Sequence, residues 1–224
     1  MKKTMKRLVA FVAIFAMLIT AIPVSAANDA ATHTWVADKL VGYVPVKSDA
    51  KQLSLATTMA KNVSVKVANP KIGKIVYEDL TFMKLIHFVP KRAGKTVVTT
   101  KVGKKTFKTN VTVYKYTDPI SSVKVGDTTI SGSKFAKTDR IYLDYDKYAG
   151  KTINLKFNTK KDWYCCYMEL KDKDGNDIPN LIKQKEGGSF KGVYVHGGKG
   201  NFICNIVFEN MKNKGVETLS IVFK

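Results

Sequence analysis

The sequence predicts an all-β protein with two β-sandwich domains behind a secretion signal. Three observations lead to this fold class. Short apolar runs alternate with polar residues at a period of two, and turn residues recur every 8 to 12 residues or so. After the signal, nothing longer than a few residues repeats at helical spacing. A chain of 224 residues suits two domains of about 100 residues better than one.

The amino terminus, residues 1–26, has the layout of a secretory signal peptide. Four basic residues precede an apolar run at 8–22, and Val24 and Ala26 then supply the small residues of a cleavage site. The run is shorter than the roughly 20 apolar residues of a membrane span. We expect cleavage after Ala26, with cleavage after Ala27 as the main alternative. The mature chain is then secreted, either extracellular or loosely associated with the cell wall, and has no membrane span.

The first domain is predicted at residues 27–117. Valine alternates with Ser and Lys over residues 63–67, which is the period of a half-buried strand. Residues 72–89 contain two or three short strands. Residues 97–102 and 107–113 flank a short glycine-containing loop, which predicts a β-hairpin.

A domain boundary is predicted at Thr117, Asp118 and Pro119. The segment follows a strand, and the proline ring keeps the preceding residue out of helical geometry. The second domain, residues 118–224, then opens with a hairpin at residues 122–130. Few contacts are expected to cross this short polar linker.

Later in the second domain, residues 153–157 alternate between apolar and polar and predict another strand. Residues 163–170 and 178–182 are apolar runs separated by an Asp-Gly turn, which predicts a hairpin. A calcium loop starting at Asp172 would need glycine at its sixth position and an acid at its twelfth. The sequence has Asp177 and a lysine there, so a turn is the better interpretation.

Several segments of the first domain carry a family resemblance. They are Val-Ser-Val-Lys-Val and Asn-Pro-Lys-Ile-Gly at 63–67 and 69–73, Ala-Gly-Lys-Thr-Val-Val-Thr at 93–99, and Val-Thr-Val at 111–113. Together they resemble bacterial Ig-like domains of group 2, in which an Ala-Gly turn precedes a Val/Thr-rich strand and the domain closes on a V-x-V strand. At 75–89 the sequence departs from the order of segments usual in that family, and this stretch is unusually apolar.

The resemblance implies two tandem Ig-like sandwiches in a secreted or surface protein of a Gram-positive anaerobe. The second domain is similar, through cues such as Lys-Asp-Trp at 161–163, to a module that often follows such domains. Domains of this kind serve as adhesive modules or as spacers, and the resemblance brings no catalytic residues.

Lysine dominates the charge of the chain. The formal net charge is +20, and four of these charges belong to the signal, which leaves +16 on the mature chain. Only Arg92 and Arg140 follow the signal, whereas nucleic-acid-binding proteins favour arginine. No nucleic-acid partner is therefore expected. The lysines suit an anionic cell-wall polymer, a glycan or another surface protein, or they serve solubility alone.

The three cysteines, Cys165, Cys166 and Cys204, are too few for a disulfide-dense scaffold and lack metal-site spacing. In a regular strand Cys166 shares a face with Met168 and Leu170. Cys204 lies on the more apolar face of its own predicted strand. Cys166 and Cys204 are therefore predicted to share a buried layer and are the candidate disulfide, with three free thiols as the alternative. A Cys165–Cys204 bridge would mean that the strand faces the other way.

A patch for sugars or polymers is conceivable at Tyr142, Tyr145 and Tyr148 with Lys147 and Lys151, because aromatic rings stack on sugars. The simpler interpretation is that the rings cover the edge of the sandwich.

The acids Asp139, Asp144 and Asp146 lie among basic residues and are predicted to be solvated surface groups. The three histidines suggest no triad by their local sequence. The Gly-rich segment 197–200 precedes a strand rather than a helix and is no P-loop. We expect no catalytic site, no cofactor and no metal site.

The function predicted from the sequence is a non-enzymatic binding or structural module at or near the cell surface, in contact with anionic wall polymers or glycans. The alternative is an accessory domain or inhibitor that acts with secreted hydrolases. A concave pocket with histidines and acids would favour the alternative.

Overall fold

The computed structural model describes residues 26–29, 33–47, 52–180, 182–185 and 187–224, and most of these residues belong to β-strands. The all-β prediction is confirmed. Residues 1–25 of the predicted signal peptide lie outside the described residues, and Ala26 begins the first strand.

In the ranges that the structure describes, nine strands precede the predicted domain boundary. They are β1 (Ala26–Asp29), β2 (Thr34–Ala37), β3 (Lys39–Tyr43), β4 (Leu53–Thr58), β5 (Val63–Val67), β6 (Gly73–Asp79), β7 (Lys84–Pro90), β8 (Gly94–Val102) and β9 (Lys105–Tyr114). The expected hairpin at 97–113 is β8 and β9, since Val102 pairs with Lys105 across a two-residue loop of Gly103 and Lys104.

The second half of the chain adds nine strands and a short helix. The strands are β10 (Ile120–Val125), β11 (Thr128–Ser131), β12 (Arg140–Leu143), β13 (Thr152–Thr159), β14 (Trp163–Lys171), β15 (Lys183–Lys185), β16 (Ser189–Tyr194), β17 (Phe202–Asn210) and β18 (Val216–Phe223). The helix α1 (Tyr145–Tyr148) is a single turn, and Gly132–Phe135 form a 3-10 turn. The hairpin predicted at 122–130 is β10 and β11.

The described strands form three sheets. One five-stranded sheet has the order β1-β2-β4-β7-β6, and another has the order β11-β10-β13-β16-β15. A third, eight-stranded sheet has the order β14-β17-β18-β3-β9-β8-β5, with β12 beside β18. We call it the shared sheet, because β18 and β3 join strands from the two halves of the chain.

Two clusters of buried apolar side chains lie between these sheets. One contains Leu55, Ile86 and other side chains from the first half of the chain, and the second contains side chains such as Phe157 and Phe208 from the second half. Sandwich-like layers follow from this arrangement. The division of the chain at 117/118 stays a prediction.

The hairpin turn predicted at Asp172 is present, but the strands it joins pair only briefly. Lys171 makes an isolated antiparallel bridge to Asp177, and the Ile178 N–H donates to the Leu170 carbonyl at 2.9 Å. The Asp172 carboxylate accepts hydrogen bonds from the backbone N–H groups of Asp174 and Asn176, both at 2.8 Å, which stabilises the turn. Beyond these contacts the pairing ends, and the chain crosses to β15 in the other sheet.

The expectation of few contacts across the domain boundary is also wrong. Gly42 of β3 pairs with Val216 of β18, so the shared sheet runs from one half of the chain to the other. Tyr43, from the first half, is buried among core side chains of the second, with its ring centroid 5.4 Å from that of Trp163. The Asn213 amide donates to the Tyr43 hydroxyl at 3.0 Å.

Asp139 makes a second connection across the boundary. Its carboxylate accepts hydrogen bonds from the backbone N–H groups of Val46 at 2.9 Å and Lys47 at 3.0 Å. Asp139 is fully buried, so the prediction of a solvated surface acid is wrong for this residue. Residues so far apart in sequence give no local pattern that would reveal such a contact. We call the contacts of Tyr43 and Asp139 the domain joint.

Candidate functional site: a lysine-lined groove

The outer face of the sheet formed by β10, β13 and β16 carries exposed lysines. Apolar side chains alternate with polar ones along each strand, and burial of Leu155 and Phe157 fixes which face of β13 points outward. The same alternation leaves Lys124 of β10, Lys156 of β13 and Lys191 of β16 exposed. Core packing thus determines where these charges lie.

The strand register places lysines directly opposite one another. Lys124 pairs with Lys156 across β10 and β13, and Lys183 pairs with Lys191 across β15 and β16. Opposite residues in antiparallel strands have Cβ atoms about 4.5–5.5 Å apart, where like charges destabilise a sheet. These side chains are exposed and do not pack in the core, so the packing of the fold does not require lysine at these positions.

The helix α1 and the turn between β10 and β11 border the same face. Asp144 caps α1, since its carboxylate accepts a hydrogen bond from the Asp146 N–H at 3.0 Å. The Lys147 ammonium group donates to the Thr128 hydroxyl at 3.0 Å, and the Lys151 ammonium group donates to the Lys147 carbonyl at 2.8 Å. These bonds hold two more lysines beside the sheet.

Together these elements form an open groove of about 580 Å³, which we call the lysine groove. Its lysines are Lys124, Lys147, Lys151, Lys156 and Lys191, and its single acidic residue is Asp127. Within the described part of the chain, none of the five lysines forms an ion pair. Positive charges gathered in one concavity create a potential that attracts anions.

The other groups that line the groove are suited to binding. Thr128, Asn154 and Ser189 add hydroxyl and amide groups that donate hydrogen bonds. The aromatic side chains that border the groove, Tyr148 and Phe190, are 6% and 1% exposed. Their faces therefore belong to the core and are not free to stack on a ligand. Ammonium groups with three donors each can hold anionic oxygens by charge and by hydrogen bonds.

The tyrosines of the expected aromatic patch do not share one exposed surface. Tyr148 is buried with an edge contact to Phe223, and the Tyr145 hydroxyl accepts a hydrogen bond from the Gly198 N–H at 3.0 Å. Tyr142 is 59% exposed and lies under the Lys224 ammonium group. The rings of Tyr145 and Tyr148 thus serve packing, as the simpler interpretation predicts, whereas Tyr142 is exposed. Lys147 and Lys151 line the groove.

The remaining acids of that region are local groups. Asp144 caps α1, and Asp146 forms an exposed ion pair with Lys199. Both are exposed, as predicted from the sequence. Neither lines the lysine groove.

The predicted facing of Cys166 is wrong. A β-bulge between Cys165 and Tyr167 breaks the alternation of β14, so that Cys165 is buried and Cys166 is half-buried. Cys204 is fully buried and lies opposite Leu170. All three thiols are free in the structure. The bulged residue Cys166 lies next to Tyr167, which pairs with Val207. Val207 is three residues from Cys204, a distance of about 10 Å along β17. A disulfide requires Cα atoms within about 7 Å.

The histidines lie in separate settings. His33 has a positive φ of 45° in a turn, and His196 stacks on Tyr194 with ring centroids 5.4 Å apart. His87 lies on β7 with its Nε2 atom 3.6 Å from a Glu78 carboxylate oxygen, and burial lowers its pKa. None of them lines the lysine groove. Among the described residues there is no group of three or more His, Cys, Asp or Glu side chains placed to hold a metal ion.

No protein-family model and no curated protein matches this sequence. Solved structures with a similar arrangement include domains 5-6 of the S-layer protein SbsC, at 11% identity and a TM-score of 0.33, over 89% of this chain and 100% of that one. The tandem Ig repeats of Dlar have 10% identity and a TM-score of 0.40, over 83% and 94% of the two chains. Invasin, a bacterial integrin-binding protein, has 9% identity and a TM-score of 0.26, over 81% and 37%.

These similar structures are Ig-like repeats and surface-protein domains. In the described part of the chain, no helix has the length and apolarity to cross a membrane.

The lysine groove was not predicted from the sequence, although part of its signal is visible there. Lys124 and Lys156 each alternate with apolar neighbours, which indicates exposed positions on strands. The pairing that brings them together spans more than 30 residues and depends on strand order and register.

Proposed function

We propose that this protein is a secreted, non-enzymatic binding module, related to bacterial Ig-like domains of group 2, that works at or near the surface of a Gram-positive cell. In this proposal the lysine groove of the second domain binds an anionic cell-wall polymer. The first domain serves as a spacer held in place by the domain joint.

The observation that carries this proposal is the concentration of lysines without an ion pair in one groove of the described part of the chain. Two of its lysines, Lys124 and Lys156, lie directly opposite each other, where a structural sheet gains nothing from like charges. An anionic ligand would neutralise both. The lining supports binding rather than an accessory enzymatic role, because it combines ammonium, hydroxyl and amide groups with one exposed acid.

A pull-down with purified anionic cell-wall material tests the proposal on the mature chain. We expect binding at 0.05 M salt that weakens progressively up to 1 M, since the Debye length falls from about 10 Å at 0.1 M to about 3 Å at 1 M. The triple variant K124Q/K156Q/K191Q removes three charges from the groove and is expected to lose most of the bound fraction.

The control variant is K66Q/K101Q/K108Q, which removes three exposed lysines from β5, β8 and β9. These lysines lie opposite Ser64, Thr99 and Thr106 rather than opposite other lysines. The control should retain binding although its net charge is the same as that of the groove variant. Equal losses in the two variants, or no binding by the unmodified protein, would contradict the proposal.

A further inference from the structure

The lysine groove also indicates which chemical class of anionic polymer it accepts. We infer that the ligand is a linear phosphodiester polymer whose phosphates are joined by acyclic polyol units. This inference rests on the proposed function and goes further, because it distinguishes among polymers of equal charge. It follows from the shape of the groove, from the type of cation that lines it, and from the buried state of its aromatic rings.

The shape of the groove suits an extended chain. β13 forms its floor, with Lys124 of β10 on one flank and Lys191 of β16 on the other. Lys124 lies directly across from Lys156, with Cβ atoms about 5 Å apart. Lys191 lies two residues along β16 from Ser189, the partner of Lys156, which is about 7 Å along the strand. A volume of about 580 Å³ is in the range of ordinary small-molecule sites and holds a few repeating units. The exposed Lys183, opposite Lys191, continues the positive face toward the sheet edge.

The cations in the groove are suited to tetrahedral phosphate. All five basic residues of the groove are lysines. Arginine binds carboxylates and phosphates alike through two parallel hydrogen bonds, whereas the lysine ammonium group acts as a point charge with freely rotating donors and is a common phosphate binder. Such groups reach tetrahedral phosphate oxygens from several directions. Without arginine, the groove cannot hold the planar carboxylates of an acidic polypeptide or a uronic-acid polymer through bidentate contacts.

The buried aromatic rings argue against polymers built from rings. Sugars and nucleic-acid bases gain binding energy by stacking on exposed aromatic faces. The rings beside the groove, Tyr148 and Phe190, have exposures of 6% and 1% and contact core neighbours. The hydroxyl and amide groups of Thr128, Asn154 and Ser189 can instead hydrogen-bond to a flexible polyol. Sulfated glycans and single-stranded DNA therefore gain no stacking contacts here and could be held only through their charges.

Competition binding with four soluble probes of matched charge number tests this inference on the whole mature chain. The probes are poly(glycerol phosphate), heparin, poly-glutamate and single-stranded DNA, compared at 0.15 M salt by displacement of a fluorescent poly(glycerol phosphate). We expect poly(glycerol phosphate) to bind at least about tenfold more tightly than each of the other three. In K124Q/K156Q/K191Q this affinity should fall about tenfold or more, and in K66Q/K101Q/K108Q by less than about twofold.

The outcomes separate the inference from the proposed function. If heparin, poly-glutamate or DNA binds as tightly as poly(glycerol phosphate) and only the groove variant loses binding, the ligand class is wrong while the groove remains a polyanion site. If the groove and control variants lose affinity equally, both the ligand class and the proposed function are wrong. Thermal unfolding of each variant, which should stay cooperative, shows that a loss of binding is not a loss of fold.

Discussion

Lys124 and Lys156 form a pair whose like charges are unfavourable for stability and, in the proposed function, serve binding. Their backbones are neighbours in the ladder between β10 and β13, and both side chains are exposed. In the proposed function, a polyanion bridges the two charges and relieves their repulsion. Natural proteins are commonly less stable than their sequences permit at positions that serve function.

Replacing one lysine of this pair should therefore stabilise the protein. We expect K124Q to raise the free energy of unfolding by a few tenths up to about 1 kcal/mol, because it removes a like-charge pair. The gain should shrink at 1 M salt, where the charges are screened. Urea unfolding at 0.05 M and 1 M salt measures both effects.

The matched control for this prediction is K101Q, whose lysine is opposite Ser64 and Thr106. Its free energy of unfolding should change less than that of K124Q. Destabilisation of K124Q at low salt would mean that the Lys124 ammonium group has a structural role, and the interpretation of the pair as a binding feature would be lost.

At the scale of elements, strand patterns were predictable and their irregularities were not. The alternation of residues 153–157 correctly predicted that β13 forms and which of its side chains face the core. In β14 the same rule gave Met168 and Leu170 a core-facing position, but the bulge reversed the facing of Cys165 and Cys166. A bulge depends on how the partner strand pairs, which local sequence does not contain. The lysine groove was not predicted for the same reason, because it depends on the register between β10 and β13.

The bulge in β14 predicts an order of thiol reactivity. Burial raises the pKa of Cys166 to about 11 and that of Cys165 to about 12, and it raises the pKa of the fully buried Cys204 further still. The thiolate is the reactive form. In the native protein, iodoacetamide should modify Cys166 first and slowly, with a rate that rises about tenfold per pH unit between pH 8 and 10.

Mass mapping after short exposures measures this order, and C166S serves as the control that should remove the first modification. Cys165 and Cys204 should react at comparable rates only after unfolding in urea. Early modification of Cys204 in the native state, or a Cys166–Cys204 peptide under non-reducing conditions, would contradict the described geometry of β14.

At the scale of the whole molecule, the domain joint decides whether the two halves of the chain move independently. Tyr43 is in the core of the second half, and the Asp139 carboxylate accepts two backbone hydrogen bonds from the segment after β3. The Cβ that another residue would have at Gly215 would lie 2.7 Å from the Tyr43 ring, so only glycine permits this approach without a shift. These contacts favour one fixed orientation of the surface on which the groove lies relative to the first half of the chain.

The substitution D139A should loosen this orientation. It removes both hydrogen bonds to a charged acceptor, and a loss of about 2 to 4 kcal/mol in the free energy of unfolding is expected. Segment 44–47 should become more sensitive to proteolysis, and small-angle scattering should show a broader distribution of distances. The polymer-binding affinity should stay close to that of the unmodified protein, because Asp139 does not line the groove.

The exposed acid Asp144 supplies the comparison for this experiment. D144A removes the cap of a four-residue helix and should cost about 1 kcal/mol or less, without any change in scattering. If D139A and D144A behave alike, the domain joint does not hold the two halves together, and a flexible linker at 115–119 describes the molecule better.

The pairing of β3 with β18 has a consequence for the order of folding events under the proposed secretion. Tyr43 and its partner Asn213 are 170 residues apart, so a chain that crosses a membrane amino terminus first would expose β3 long before β18 emerges. Until then the Gly42 edge of the growing sheet would have no partner and would be open to pairing with another chain. In that case completion of the shared sheet is a late step, and the chain is most vulnerable to aggregation just before it.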